Sequence, residues 1–233
     1  MTGGLRRLLT VAEMALRELI RRRTVLVLLL VLPLAFYLIR RDQYVGQSVR
    51  SLFVGIGWTV STAALFSTIG ARSFEPRLRM AGYRSHELYL GRLCGLWTLG
   101  VALAAPFLAL VRFDVANVRY GAVGVAMLCV VTVAAPFGML IGHIIPREME
   151  GTLALLTVVA IQMLIDPAST ASKLTPFWSS REIGTYAIDH TGADYLQRGL
   201  VHAAVSTLLL LALVAVVSAT RLRRRVRVLQ RVA

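Results

Sequence analysis

Apolar residues along this chain are bunched into runs, where a globular core would spread them over amphipathic elements. Runs approaching twenty residues are what a bilayer asks for, because its hydrocarbon core takes about 20 residues of helix to cross. Six such runs stand at 24–39, 51–71, 93–111, 120–141, 152–165 and 199–219. They predict an all-α integral membrane fold with six transmembrane helices in a single domain, 1–233. The first run is short, but Arg21, Arg22 and Arg23 before it and Arg40 and Arg41 after it can snorkel to the interface. Pro33 and Pro106 fall inside runs, which neighbouring helices make tolerable.

Ahead of the first run, Leu5, Leu8, Leu9, Ala12, Leu16, Leu19 and Ile20 recur at helical spacing, and Arg6, Arg7, Glu13, Arg17 and Arg21 fill the other side. Residues 1–23 are therefore expected to form an amphipathic helix in the membrane interface. Between the last two runs, 166–198 is long, polar and rich in Pro, Ser and Thr. Gly91 and Gly95, and the series Ala134, Gly138 and Gly142, place small residues four apart, which allows close helix packing in lipid.

Composition sharpens this picture. The chain is 57% hydrophobic and only 16% charged, with a mean hydropathy of +0.68; soluble domains carry about 25% charge. The net charge of +14 would ordinarily raise nucleic acid as a partner. Here the arginines cluster at the ends of apolar runs, so the bilayer is the partner and nucleic acid is not. Cys94 and Cys129 both lie inside apolar runs and read as small buried hydrophobes without a disulfide. No small-residue cleavage site follows the first run, so it is expected to stay as an anchor.

Loop charge sets the orientation. The pieces 1–23, 72–92, 142–151 and 220–233 hold 18 of the 26 basic residues, and the other side holds 8. The acidic residues divide 6 and 6. Positive-inside ordering then puts both termini in the cytoplasm, in a multi-pass plasma-membrane protein, with 220–233 as a basic cytoplasmic tail.

Catalytic chemistry is not expected. A phosphate-binding loop needs a lysine after its glycines, and the one lysine, Lys173, sits between Ser172 and Leu174. His86, His143, His190 and His202 are scattered without metal-ligand spacing. His202 alone lies well inside a run, and it is read as a neutral, hydrogen-bonded side chain. No charge falls at the centre of a predicted span, which argues against an ion-driven carrier.

Two cytoplasmic stretches carry the remaining information. The first, 72–92, mixes charge with Phe74, Met80 and Tyr83, a surface suited to docking a soluble protein. In the second, Glu148 and Glu150 fall at the start of the fifth span, where the helix dipole favours negative charge.

Taken together, the layout resembles the membrane subunit of the ABC-2 family of ATP-driven exporters, in its compact bacterial form. The entry helix, the Glu- and Arg-bearing FEPRLRMAGYRSHELYLGRL between the second and third spans, the Arg147-Glu148-Met149-Glu150-Gly151-Thr152-Leu153 stretch, and Leu174-Thr175-Pro176-Phe177-Trp178 before the last span carry the likeness. The 40–50 loop is too short for a folded outer domain, unlike the large lipid or sterol exporters. The resemblance implies a permease moving an apolar or amphiphilic substrate outward by alternating access. It also implies a second permease subunit, identical or similar, and a separate ATPase subunit that holds ATP and Mg. No cofactor belongs to this chain.

The resemblance makes Phe74, Glu75, Arg77, Arg79, Gly82, Tyr83 and Arg84 the coupling contacts within 72–92, with Arg147, Glu148 and Glu150 as a second contact. It places short re-entrant helices in 166–198, with Pro176, Phe177 and Trp178 as an outer gate near the interface. The substrate path would run along the second and fifth spans. The competing expectation is a membrane anchor or assembly subunit that moves nothing.

Overall fold

A computed structural model describes residues 2–21, 23–41, 45–166 and 169–232, with side chains described for 3–21, 25–41, 46–166 and 169–218. Every regular element among the described residues is helical: α1 (Thr2–Arg21), α2 (Arg23–Ile39), α3 (Val45–Gly70), α4 (Glu75–Met80), α5 (Ser85–Asp114), α6 (Tyr120–Ile144), α7 (Glu148–Leu164), α8 (Trp178–Ile188) and α9 (Ala193–Val232). Short 3-10 turns precede α4 at Ala71–Ser73 and α8 at Thr170–Leu174.

Four helices, α3, α5, α6 and α9, are long and apolar enough to cross a membrane, and α1 with α2 forms a pair bent by 79°. α2 and α7 have 17 residues each; at about 1.5 Å per residue that is some 25 Å, a little under the hydrocarbon thickness. The chain thus has the helical character of a membrane-embedded protein.

α3 and α6 are the centre of the bundle and run parallel. The Ser61 hydroxyl donates to the Ala134 carbonyl at 3.1 Å. A Cβ on Gly138 would overlap the Ser61 carbonyl, and one on Gly142 would lie 2.9 Å from Thr68. The small-residue series read from the sequence is therefore the seam that lets these two backbones touch. α5 runs antiparallel to α6, with Gly100 against Val131 and Gly124 against Leu108. α2, α7, α8 and α9 pack around this centre.

Helices extend further than the apolar runs. α5 begins at Ser85, where sequence placed a polar stretch to residue 92. Its start is held by a capping box in which the Arg84 backbone N–H donates to Glu87 Oε2 at 2.8 Å. Its polar first turns are covered by α1, so hydropathy alone misses them. α3 likewise starts at Val45, and α9 runs from Ala193 to Val232. The side chains of the basic tail at 220–233 lie outside the described residues. Among the described residues both cysteines are free, and Cys94 is on an exposed face of α5, not buried as its apolar run implied.

Candidate functional site

The two stretches singled out as coupling contacts come together at one end of the bundle. Arg72 donates to the carbonyls of Gly142, His143 (3.4 Å) and Ile145 (3.2 Å). Those are the orphan acceptors at the end of α6, and a cation satisfies them well. The joint after α3 is thereby tied to the segment that leads into α7.

Pro76 in the first turn starts α4. Gly82, at φ +86°, ends it: the Tyr83 N–H donates to the Leu78 carbonyl and the Gly82 N–H to the Arg79 carbonyl, the paired bonds of a Schellman turn. This corner is clamped to α1. Arg7 donates to the Gly82 carbonyl at 2.9 Å, stacks over the Tyr83 ring at 5.6 Å and lies 3.9 Å from Glu87.

α1 itself crosses α5 on Gly91 and Gly95. A Cβ there would stand 2.7 Å from the Leu8 and Ala12 carbonyls respectively. Val11, Ala12, Ala15 and Leu19 are buried in that contact, while Leu5, Leu9 and Ile20 form an exposed apolar stripe beside it. Half of the apolar arc of α1 is thus used internally, and half remains for another apolar medium.

Within the corner the named residues part ways. Glu75 Oε1 pairs with Arg92 at 2.9 Å, and the Arg92 side chain is 4% exposed; this carboxylate is engaged inside the fold. Phe74 faces a narrow gap beside Val11, Met14 and Leu78. Arg77 and Arg84 are exposed, Arg79 and Tyr83 half-buried. Arg147 pairs with Glu150 at 2.7 Å on the surface, and Glu148 and Glu150 occupy the first turn of α7. Gly151 behind them admits Leu65 of α3, 2.7 Å from where a Cβ would be.

The opposite end carries its own polar network. Asp114 accepts from Tyr37 and Arg41, Arg50 pairs with Asp189, and the Arg119 N–H donates to the Ala187 carbonyl at 2.9 Å. That last bond moors the end of α8. Its beginning lies deep: Phe177 is 1% exposed, meets Phe137 edge-on at 6.2 Å, and fills the space over Gly57, halfway along α3. The Phe177 N–H donates to Gln162 of α7 at 3.3 Å. Trp178 packs on His202 at 5.0 Å, and His202 Nε2 donates to the Lys173 carbonyl at 2.9 Å. Pro176, half-buried, completes the turn. Sequence placed this trio near the outer interface; in the structure the Phe177 ring is buried among its neighbours and fills the hole that Gly57 leaves.

Sequence reading missed Arg7, Arg72, Glu87 and Arg92, whose partners, the Glu87 cap on Arg84 aside, are distant in the chain. It also missed a cavity of about 320 Å³ between α2, α3, α7 and α8, bordered by Arg40, Arg50 and Arg181. Burial pulls the Arg181 guanidinium below its ordinary value; Glu182 and Asp166 oppose that and Arg50 adds to it.

No family model and no curated protein matches this chain.

Proposed function

We propose that the chain is the membrane permease subunit of an ATP-driven exporter of the ABC-2 type, working with a second permease subunit and a separate ATPase subunit. On this reading α2, α3, α5, α6, α7 and α9 are six spans and α1 is the interfacial entry helix. Both termini are cytoplasmic, and the turns around α8 re-enter from the outside. The short α2 and α7 then rely on flanking arginines and polar ends to reach the headgroups.

The observation that carries this reading is the clamp at one end of the bundle. α1, the Gly82–Glu87 corner and the α6–α7 joint are linked by Arg7 and Arg72. A soluble partner pushing on that platform moves α1, α3, α5 and α6 together, which is what an ATPase without covalent attachment needs. α4 offers it Arg77, Arg79 and the exposed Met80; α7 offers Arg147, Glu148 and the exposed Met149. ATP and Mg belong to the partner.

The test is recovery of a nucleotide-binding subunit with the tagged chain from native membranes. Arg77→Glu combined with Arg79→Glu is expected to cut that recovery several-fold while membrane insertion stays normal. Recovery equal to the unaltered chain removes this docking surface; no ATPase recovered with the unaltered chain removes the exporter.

A further inference from the structure

The cavity between α2, α3, α7 and α8 has charges at its border that answer one another. Arg50 pairs with Asp189, and Glu182 and Asp166 both act on Arg181. The uncharged part of its wall is less complete. Gln47 and Ser51 of α3 and Gln162 of α7 line it. Ser51 is only 3% exposed, yet neither its hydroxyl nor the Gln47 amide has a hydrogen bond with a described residue. The Gln162 oxygen accepts from the Phe177 N–H, which leaves the NH2 group of that amide for something else.

Positions 47, 51, 58 and 62 share one face of α3 by helical spacing. Toward the middle of the helix that face carries Trp58 and Thr62, whose Nε1 and Oγ1 are buried without a partner among the described residues. Buried hydroxyl and amide groups left unpaired cost free energy. Amides and hydroxyls both donate and accept, so the group that completes them is one that does both, which is a hydroxyl and not an ion. Trp178 adds an aromatic wall, against which the C–H face of a sugar ring packs while its hydroxyl edges point elsewhere. The rim is apolar: Leu38 and Ile39 end α2, Ile161, Met163 and Leu164 end α7, and all five are exposed. A volume of about 320 Å³ is at the lower end for a whole ligand. It suits a headgroup whose tail lies along those edges.

We propose that this cavity receives the uncharged, hydroxyl-rich headgroup of a membrane amphiphile, a glycosyl lipid in chemical class, whose tail lies between the ends of α2 and α7. The inference goes beyond the exporter reading and does not depend on it: a membrane anchor with the same cavity holds the same headgroup.

The experiment incorporates the full chain into bilayer discs of monoglucosyl diacylglycerol, diacylglycerol, phosphatidylcholine and phosphatidic acid, extracts it, and counts retained lipids by native mass spectrometry. The unaltered chain is expected to favour the glucosyl lipid about fivefold or more over each of the others, the scale of one or two hydrogen bonds. Gln47→Leu and Ser51→Ala should each bring that preference down about threefold or more. Gln197→Leu, the same kind of change at an exposed position of α9, should leave it as it is.

Equal retention of all four lipids by the unaltered chain overturns the proposal, and that comparison needs no variant to fold. So does a preference for phosphatidic acid, which would mean that charge decides, or equal retention of diacylglycerol, which would mean that the tail does. An equal loss in Gln197→Leu overturns the assignment to this cavity. Displacement of the glucosyl lipid by free glucose at matched concentration overturns the amphiphile, since the tail would then add nothing. Because no ATPase is present, the outcomes separate: lipid preference without ATPase recovery leaves the cavity and removes the exporter, and ATPase recovery without lipid preference does the reverse.

Discussion

Glu75 and Arg79 are four residues apart and both charged, yet they do different work. Glu75 is bound to Arg92, whose side chain is almost wholly buried; the half-buried Arg79 lies on α4, and its carbonyl accepts from the Gly82 N–H. Removing one member of a buried ion pair costs about 3 kcal/mol or more, because its partner stays desolvated. Glu75→Ala is therefore expected to lower the unfolding temperature of the detergent-solubilised chain markedly, and Arg79→Ala to leave it within about a degree or two, as surface changes do. Equal shifts in a thermal-unfolding assay would remove the distinction. From sequence the two residues look alike. What separates them is an arginine 17 positions later, and its nearness depends on a helix starting at Ser85, inside what hydropathy reads as loop. The same holds for Arg72: its positive charge is legible, but the three carbonyls it caps are not.

Packing between helices depends on a few positions without side chains. Gly138 sits against the Ser61 carbonyl, whereas Gly121 on the same helix has open space. Gly138→Ala should destabilise the chain by about 1–3 kcal/mol, while Gly121→Ala should be neutral or slightly stabilising through helix propensity; denaturation of the two variants side by side decides it. Gly95→Val should lift α1 from α5, because the added atoms meet the Ala12 backbone. A cysteine placed at the buried Ala15 should then label quickly with a water-soluble maleimide, and slowly when Gly95 is intact. Slow labelling in both would show that α1 stays down. The long apolar helices were legible, since a run of aliphatic residues has few other uses. The division of α1 into a packed half and an exposed half was not, because both halves are leucine, isoleucine, valine and alanine. Nor was the depth of Phe177, which depends on a vacancy 120 positions earlier in the chain.

Across the whole molecule, one end gathers the arginine-rich joints and the other holds Asp114, Asp189 and the moored end of α8. The proposed orientation puts the arginine-rich end in the cytoplasm. A reporter that fluoresces only in the cytoplasm should be bright when fused after Ala233 and dark when inserted at Gly192 in the α8–α9 turn. A bright insertion there removes the alternating six-span path. Almost the entire outer face of α9, including Leu208, Leu209 and Leu213, is uncovered. In water such a stripe aggregates, so the chain should precipitate when detergent is withdrawn and stay dispersed when discs replace it.

The mooring of α8 has a mechanical corollary. Anchored through Ala187 at its far end and stoppered by a benzyl group at its near end, these eleven residues are a cork on a short tether. Drawing the cork bares Gly57 and leaves a ring-sized hollow midway along α3, and an unfilled hollow of that kind costs free energy in proportion to its volume. The stoppered arrangement is the one the structure holds, and a displacement of α8 would have to supply that free energy or bring something greasy to occupy the hollow.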